Sequence, residues 1–102
     1  MNTMQLDEIH PGEILREEFM RPMGITGQHL ASSIHVSRSR VSRIVNGSRS
    51  ISVDTALRLG LFFGMEPRYW MNLQTEYDLR MMRHQIGAKI APRIRVHQAV
   101  TV

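Results

Sequence analysis

The chain has 102 residues, one domain's worth, and no cysteine, which excludes a disulfide framework and any thiolate zinc site. No apolar run approaches a membrane span and the N-terminus lacks a basic region followed by a greasy one, so the expectation is a soluble cytoplasmic protein with no membrane partner. Net charge is +4 and unevenly spread: residues 1–33 carry five acids against two bases, residues 34–60 five arginines against Asp54, and residues 61–102 six bases against three acids, a split that suits two partners of opposite sign.

Residues 1–8 show no periodicity and are read as a flexible segment. The first helix has a clear start in Ile9, His10, Pro11, Gly12, Glu13 and Ile14. Proline suits the first helical position because its missing N–H would be unpaired there, and Glu13 opposes the helix dipole. Ile9 can staple to Ile14, and His10 is expected to cap. Leu15 and Phe19 continue the buried side, Pro22 and Gly24 end it, and Glu13, Glu17 and Glu18 form an acidic face.

A second short helix starts at Thr26, whose hydroxyl can accept from an N–H near Gln28 or His29, and carries Leu30, Ala31 and Ile34 on one side. The connection Ile34-His35-Val36-Ser37 has the length that turns one helix steeply onto the next. The third segment, SRSRVSRIVNG from Ser37 to Gly47, begins with a capping residue and ends at an Asn-Gly stop. At 3.6 residues per turn Val41, Ile44 and Val45 share one flank, and Arg38, Ser39, Ser42 and Arg43 the other. So short a helix must be docked on something larger, which turns its arginine-serine face outward. Arginine pairs with guanine O6 and N7 through two parallel hydrogen bonds, and hydroxyl neighbours can bond bases or phosphates. Alone, such a helix is more often a plain solvated face. Preceded by the capped helix and tight turn, it makes a helix-turn-helix, whose second helix enters the major groove.

Gly47 is placed to close this helix in the left-handed conformation, and Ser48, Arg49 and Ser50 form a polar link suited to phosphates. Ser52 caps a fourth helix with Asp54 in its first turn. Ala56, Leu59, Gly60 and Phe63 form its apolar stripe, Leu57 and Leu61 widen it, and the helix is expected to be largely buried until Gly64 stops it. Pro67 opens the fifth and longest helix, run to about Ile86. Trp70, Leu73, Tyr77 and Met81 make one stripe, and Met71, Met82 and Ile86 fall off it. One small core cannot absorb all of this surface, so a twofold dimer is expected, with Trp70, Leu73, Tyr77, Met81 and Met82 as interface candidates. The boundaries are thus 1–8, a domain at 9–87 and a basic tail at 88–102, KIAPRIRVHQAVTV with the preceding alanine. That tail, which Pro92 breaks, is an arm, a strand added to a partner or a second phosphate contact.

No enzyme, cofactor or metal site is expected. His10, His29, His35, His84 and His97 show neither metal-binding spacing nor carboxylate partners, and Glu17 and Glu18 splay apart on a helix.

IHPGEILREEF, SRIVNG, ISVDTALRLGLFFG and PRYWMNLQTEYDL occur in order over about residues 9–80. Together they resemble the HigA-type antitoxins, also called VapI, of the Xre class of helix-turn-helix proteins. The resemblance implies an all-α, five-helix, lambda-repressor-like domain with a long C-terminal dimerisation helix. It also implies a homodimer that represses its own operon at an inverted-repeat operator in double-stranded DNA. The same protein would bind and neutralise a HigB toxin, a small RelE-like ribosome-dependent mRNA endonuclease. The family's base-reading positions fall on Arg38, Ser39, Ser42 and Arg43, and phosphate-binding candidates are Thr26, Gln28, Arg40, Asn46, Ser48 and Arg49. RelE-like toxins are basic, and the acidic first helix with Glu13, Glu17 and Glu18, joined by Asp7 and Glu8, is the natural complement. This chain departs from the family pattern in Gly27, where Gln is common and Gln28 is displaced by one, in His35, where Gly usually takes a positive φ, and in Glu66, where Ser or Thr begins the last helix. The alternatives are a stand-alone Xre repressor with no toxin, and a pure toxin inhibitor that has lost its operator.

Overall fold

The structure is a computed structural model and describes residues 9–98. The segment at 1–8, with Asp7 and Glu8, and the last four residues of the tail lie outside the described residues. Those described are helical with no strand: α1 (Pro11–Ile14) passing into a π-helical segment (Leu15–Met20), α2 (Gly27–Ile34), α3 (Arg38–Val45), α4 (Val53–Phe63) and α5 (Pro67–Met82). The expected all-α architecture with a long last helix is what forms.

Local chemistry sets the starts and stops. The Gly12 N–H donates to His10 Nδ1 at 2.8 Å, and the hydroxyls of Thr26, Ser37 and Ser52 accept from His29, Arg40 and Thr55 at the starts of α2, α3 and α4. Against an opposing pull from Asp78, burial pushes the His10 imidazole below its ordinary pKa and favours the neutral ring; the bond from Gly12 then assigns the ring proton to Nε2. Gly64 closes α4 at φ 67°, and His35 closes α2 at φ 59°, the positive angle expected at that position.

The core gathers Leu15 from the first helix, Leu30 and Ile34 from α2, Val41 and Ile44 from α3, Ile51 from the link, Ala56 and Leu59 from α4 and Trp70 from α5. Trp70 is 0% exposed, with its ring 4.9 Å from Phe19 and 5.1 Å from Tyr69. It therefore leaves the list of interface candidates: the subunit's own aromatic cluster consumes it. Leu73 packs partly against the same core, and Tyr77 sets its ring edge-on to His10 at 4.9 Å. Met81 is half-buried and Met82 exposed. Gln74, buried on the same helix, accepts from the Ile51 N–H at 2.7 Å and donates to Asp78 at 2.9 Å, which ties α5 to the strandless link before α4.

Two sequence expectations change. Leu57 and Leu61 do not widen the buried stripe of α4; they face outward, because α2 and α5 pack on its other side. The last helix also does not stop near Ile86. It continues through a π-helical segment (Arg83–Gly87), an α turn (Ala88–Ile90) and a 3-10 turn (Ala91–Arg93), so the tail begins as helix. Gly87 adopts ordinary right-handed angles, and Pro92 sits at the start of the final turn, where its missing N–H costs nothing.

Candidate nucleic-acid interface

Val41 and Ile44 are 2% and 1% exposed, so α3 is held by its apolar flank as its short length demands. Arg38, Ser39, Ser42 and Arg43 are all exposed on the other flank. Beside them, exposed Gln28 and Thr26 stand at the start of α2, where the Thr26 hydroxyl still has its proton to donate after accepting from His29. Exposed Arg49 stands past the other end of α3, on a link whose Ser48 and Arg49 N–H groups both donate to the Arg43 carbonyl, at 2.9 and 3.2 Å. The Ser48 hydroxyl and the Asn46 side-chain oxygen are 2.7 Å apart and close this turn on each other.

Arg40 differs from the phosphate role assigned to it. Its guanidinium is 2.7 Å from Asp54 on α4, so it clamps the groove-facing helix to its neighbour. Asp54 also accepts from Arg58 at 3.0 Å, and Arg58 Nη1 donates onward to the carbonyls of Ile34 at 2.8 Å and His35 at 3.3 Å. One carboxylate thus links α3, α4 and the end of α2, and the arginine places positive charge where a helix exposes unpaired carbonyls. Hydrogen bonds from Arg58 and then Arg40 hold the Asp54 carboxyl below its ordinary pKa. The bridge is complete above the ordinary carboxylate range and is lost as pH falls through the lowered folded value. At neutral pH, Asp54→Ala should speed amide exchange in α3 and at the end of α2, and the wild-type protein should approach the variant's exchange in acid. Identical exchange at neutral pH would show that the bridge holds nothing.

The first helix and α3 also approach closely. A Cβ built on Gly12 would stand 1.6 Å from the Ile44 carbonyl oxygen, so the first helix rests backbone against backbone on the C-terminal end of α3. Only glycine permits that spacing.

A family model described as helix-turn-helix matches residues 15–70. Virulence-associated protein I of Dichelobacter nodosus is 52% identical over 77 residues, covering 76% of this chain and 71% of the relative. An addiction module antidote protein of the HigA family from Coxiella burnetii superposes at a TM-score of 0.83 with 43% identity, covering 88% of this chain and 98% of that one. The chain belongs to the HigA-type helix-turn-helix antitoxins. A second HigA structure, the Pseudomonas aeruginosa antitoxin HigA with the higBA promoter, superposes at 0.84 with 43% identity, covering 86% of this chain and 96% of that one. The HigA-type fold is a non-enzymatic, DNA-binding one. No helix among the described residues is long and apolar enough to cross a membrane.

Three residues that hold this HigA-type reading head were missed from sequence: Gly12, Asp54 and Arg58. In the sequence Asp54 reads only as a first-turn acid and Arg58 shows no role. The one available signal was the charge pattern, with Asp54 and Arg58 one turn apart on a helix that follows an arginine-rich one.

The acidic face is weaker than its residue count. Glu17 pairs with Arg16 and Arg21, each at 2.9 Å, and the Arg21 hydrogen bond lowers its pKa. Glu13 and Glu18 remain exposed, and with Ile9, Ile14, Leu73 and Glu76 they border a groove of about 290 Å³ between α1 and α5.

Proposed function

We propose that this chain is the antitoxin of a type II toxin-antitoxin module. Two copies bind an inverted-repeat operator, each laying α3 in the major groove, and repress transcription of the module. The same protein holds a HigB/RelE-like mRNA endonuclease in an inactive complex. The observation that carries the DNA half is the outward set of Arg38, Ser39, Ser42 and Arg43 on a helix locked from behind by the Asp54 bridge. A solved structure of the Pseudomonas aeruginosa antitoxin HigA with the higBA promoter supports it. Arg38 and Arg43 read base edges, Ser39 and Ser42 contribute hydroxyls, and Thr26, Gln28 and Arg49 bind the flanking phosphates.

Replacing Arg43 by Ala should weaken operator binding by about 1 to 3 kcal/mol and relax preference at one base position, whereas Arg49→Ala should weaken all sequences alike and lower the salt slope by about 1. Gel shifts on the chain's own promoter region and on scrambled DNA check this. Equal losses for Arg43→Ala on both DNAs would make that residue a backbone contact.

The toxin half rests on the groove between α1 and α5, where exposed Glu13 and Glu18 flank an apolar floor and Arg80 lies 3.9 Å from Glu76 at its edge, in a protein of positive net charge. A basic partner fits it. Glu13→Lys with Glu18→Lys should weaken association with a co-expressed RelE-like toxin and leave operator affinity unchanged. Toxin affinity indifferent to this double reversal would rule the groove out.

A further inference from the structure

A groove of about 310 Å³ runs beside α3, between it, the π-helical segment of the first helix and the turn that leads into α2. Arg16, Arg21 and Arg38 line it, and among the described residues no acid does. Its floor is apolar: Met20 and Val41 are buried, Ile25 and Val45 half-buried.

The three cations are not equally engaged. Arg16 and Arg21 share Glu17, each at 2.9 Å, which cancels one of their two charges and leaves both with further N–H groups to donate. The Arg38 guanidinium is exposed and pairs with no acceptor among the described residues. The floor is open because residue 27 is glycine. A Cβ built there would stand 3.8 Å from Val41 Cγ1, in ordinary contact, so any longer side chain at this position would lie over the apolar floor. Gly27 is not at positive φ, so the backbone does not demand glycine there.

A cationic rim over an apolar floor is matched to an anion that carries hydrocarbon. A bare phosphate would use the guanidinium groups and leave the floor wet, whereas a carboxylate on an apolar chain uses both. The volume is at the small end of the roughly 300 to 1,000 Å³ typical of ligand pockets.

We propose that this groove takes a small amphipathic anion, a carboxylate on a hydrocarbon chain, and that the bound anion competes with operator DNA for Arg38 and Ser42. Both residues line the groove and both belong to the outward set on α3. The competition rests on the reading of α3 as the base-reading helix; the binding does not.

The test is calorimetric titration of the full chain with decanoate below its micellar concentration, with decylammonium and inorganic phosphate titrated separately. Decanoate should bind and decylammonium should not. Arg16→Gln should weaken decanoate binding by about tenfold and still shift the promoter fragment. Gly27→Gln removes no charge and covers the floor, and should weaken decanoate at least as much. Glutamine favours a helix over glycine, so an undiminished melting temperature is expected to show that this variant folds. In gel shifts, decanoate should release the wild type from the promoter fragment at a concentration that leaves Gly27→Gln bound. Absence of decanoate binding, equal binding of decylammonium, or affinity indifferent to both substitutions overturns the proposal. Inorganic phosphate that binds as tightly as decanoate also overturns it, because the floor then contributes nothing. Decanoate that binds without displacing DNA overturns the competition. A chain that binds decanoate in the expected pattern and shifts no DNA upholds the site and sinks the operator reading.

Discussion

Gly12→Ala should destabilise the domain by at least about 3 kcal/mol, near the upper end of what overpacking usually costs. The new methyl would stand 1.6 Å from the Ile44 carbonyl oxygen, an atom of the backbone that no rotamer change can move aside. Either α1 lifts from α3 or the end of α3 unwinds. Both outcomes disturb the helix that presents Arg43. For a domain of this size the melting temperature should fall by at least about 12 °C, and operator binding should fall with it even at temperatures where the variant is folded. A melting point within a few degrees of wild type would mean that the two backbones are not in contact.

Trp70→Ala should cost about 3 to 5 kcal/mol, the usual range for emptying a large aromatic site. The indole is fully buried among Phe19, Phe63 and Tyr69 and is the one aromatic side chain among the buried core residues described. The readout separates its two possible places. A core residue lowers the denaturant midpoint independently of protein concentration, whereas an interface residue shifts the monomer-dimer equilibrium and leaves the monomer's stability alone. Trp70→Phe should be milder than the volume change suggests, because the buried Nε1–H has no hydrogen-bond acceptor among the described residues and its removal relieves an unpaired donor.

What could be read in the sequence was what neighbours in the chain decide. His10, Thr26, Ser37 and Ser52 bond N–H groups two or three residues ahead, and His35 and Gly64 take positive φ at helix ends; residue type and position suffice for these. The outward set on α3 followed from a 3.6-residue period. That same period could not say which apolar stripe meets which partner. Trp70 and Met82 both looked like surplus surface on one helix, yet the first fills the core and the second faces out. Leu57 and Leu61 failed in the opposite direction. Arg40 was counted as one more arginine because its clamp, Asp54, lies on another helix, and Gly12 gave no sign of the carbonyl it rests against. Contacts between elements far apart in the chain leave no local spacing to read.

The hydrogen bonds from Arg58 have a consequence for the order of assembly. The two carbonyls that end α2 and form the corner are held by a side chain that enters the chain 24 residues after Ile34 and 23 after His35. Until α4 has emerged and docked, the corner rests on local bonds alone, such as that from the Val36 N–H to the Ala31 carbonyl at 3.1 Å, around a histidine in a conformation that glycine adopts more readily. The bihelical reader is therefore no portable cassette: its angle is acquired late in synthesis, together with the rest of the domain.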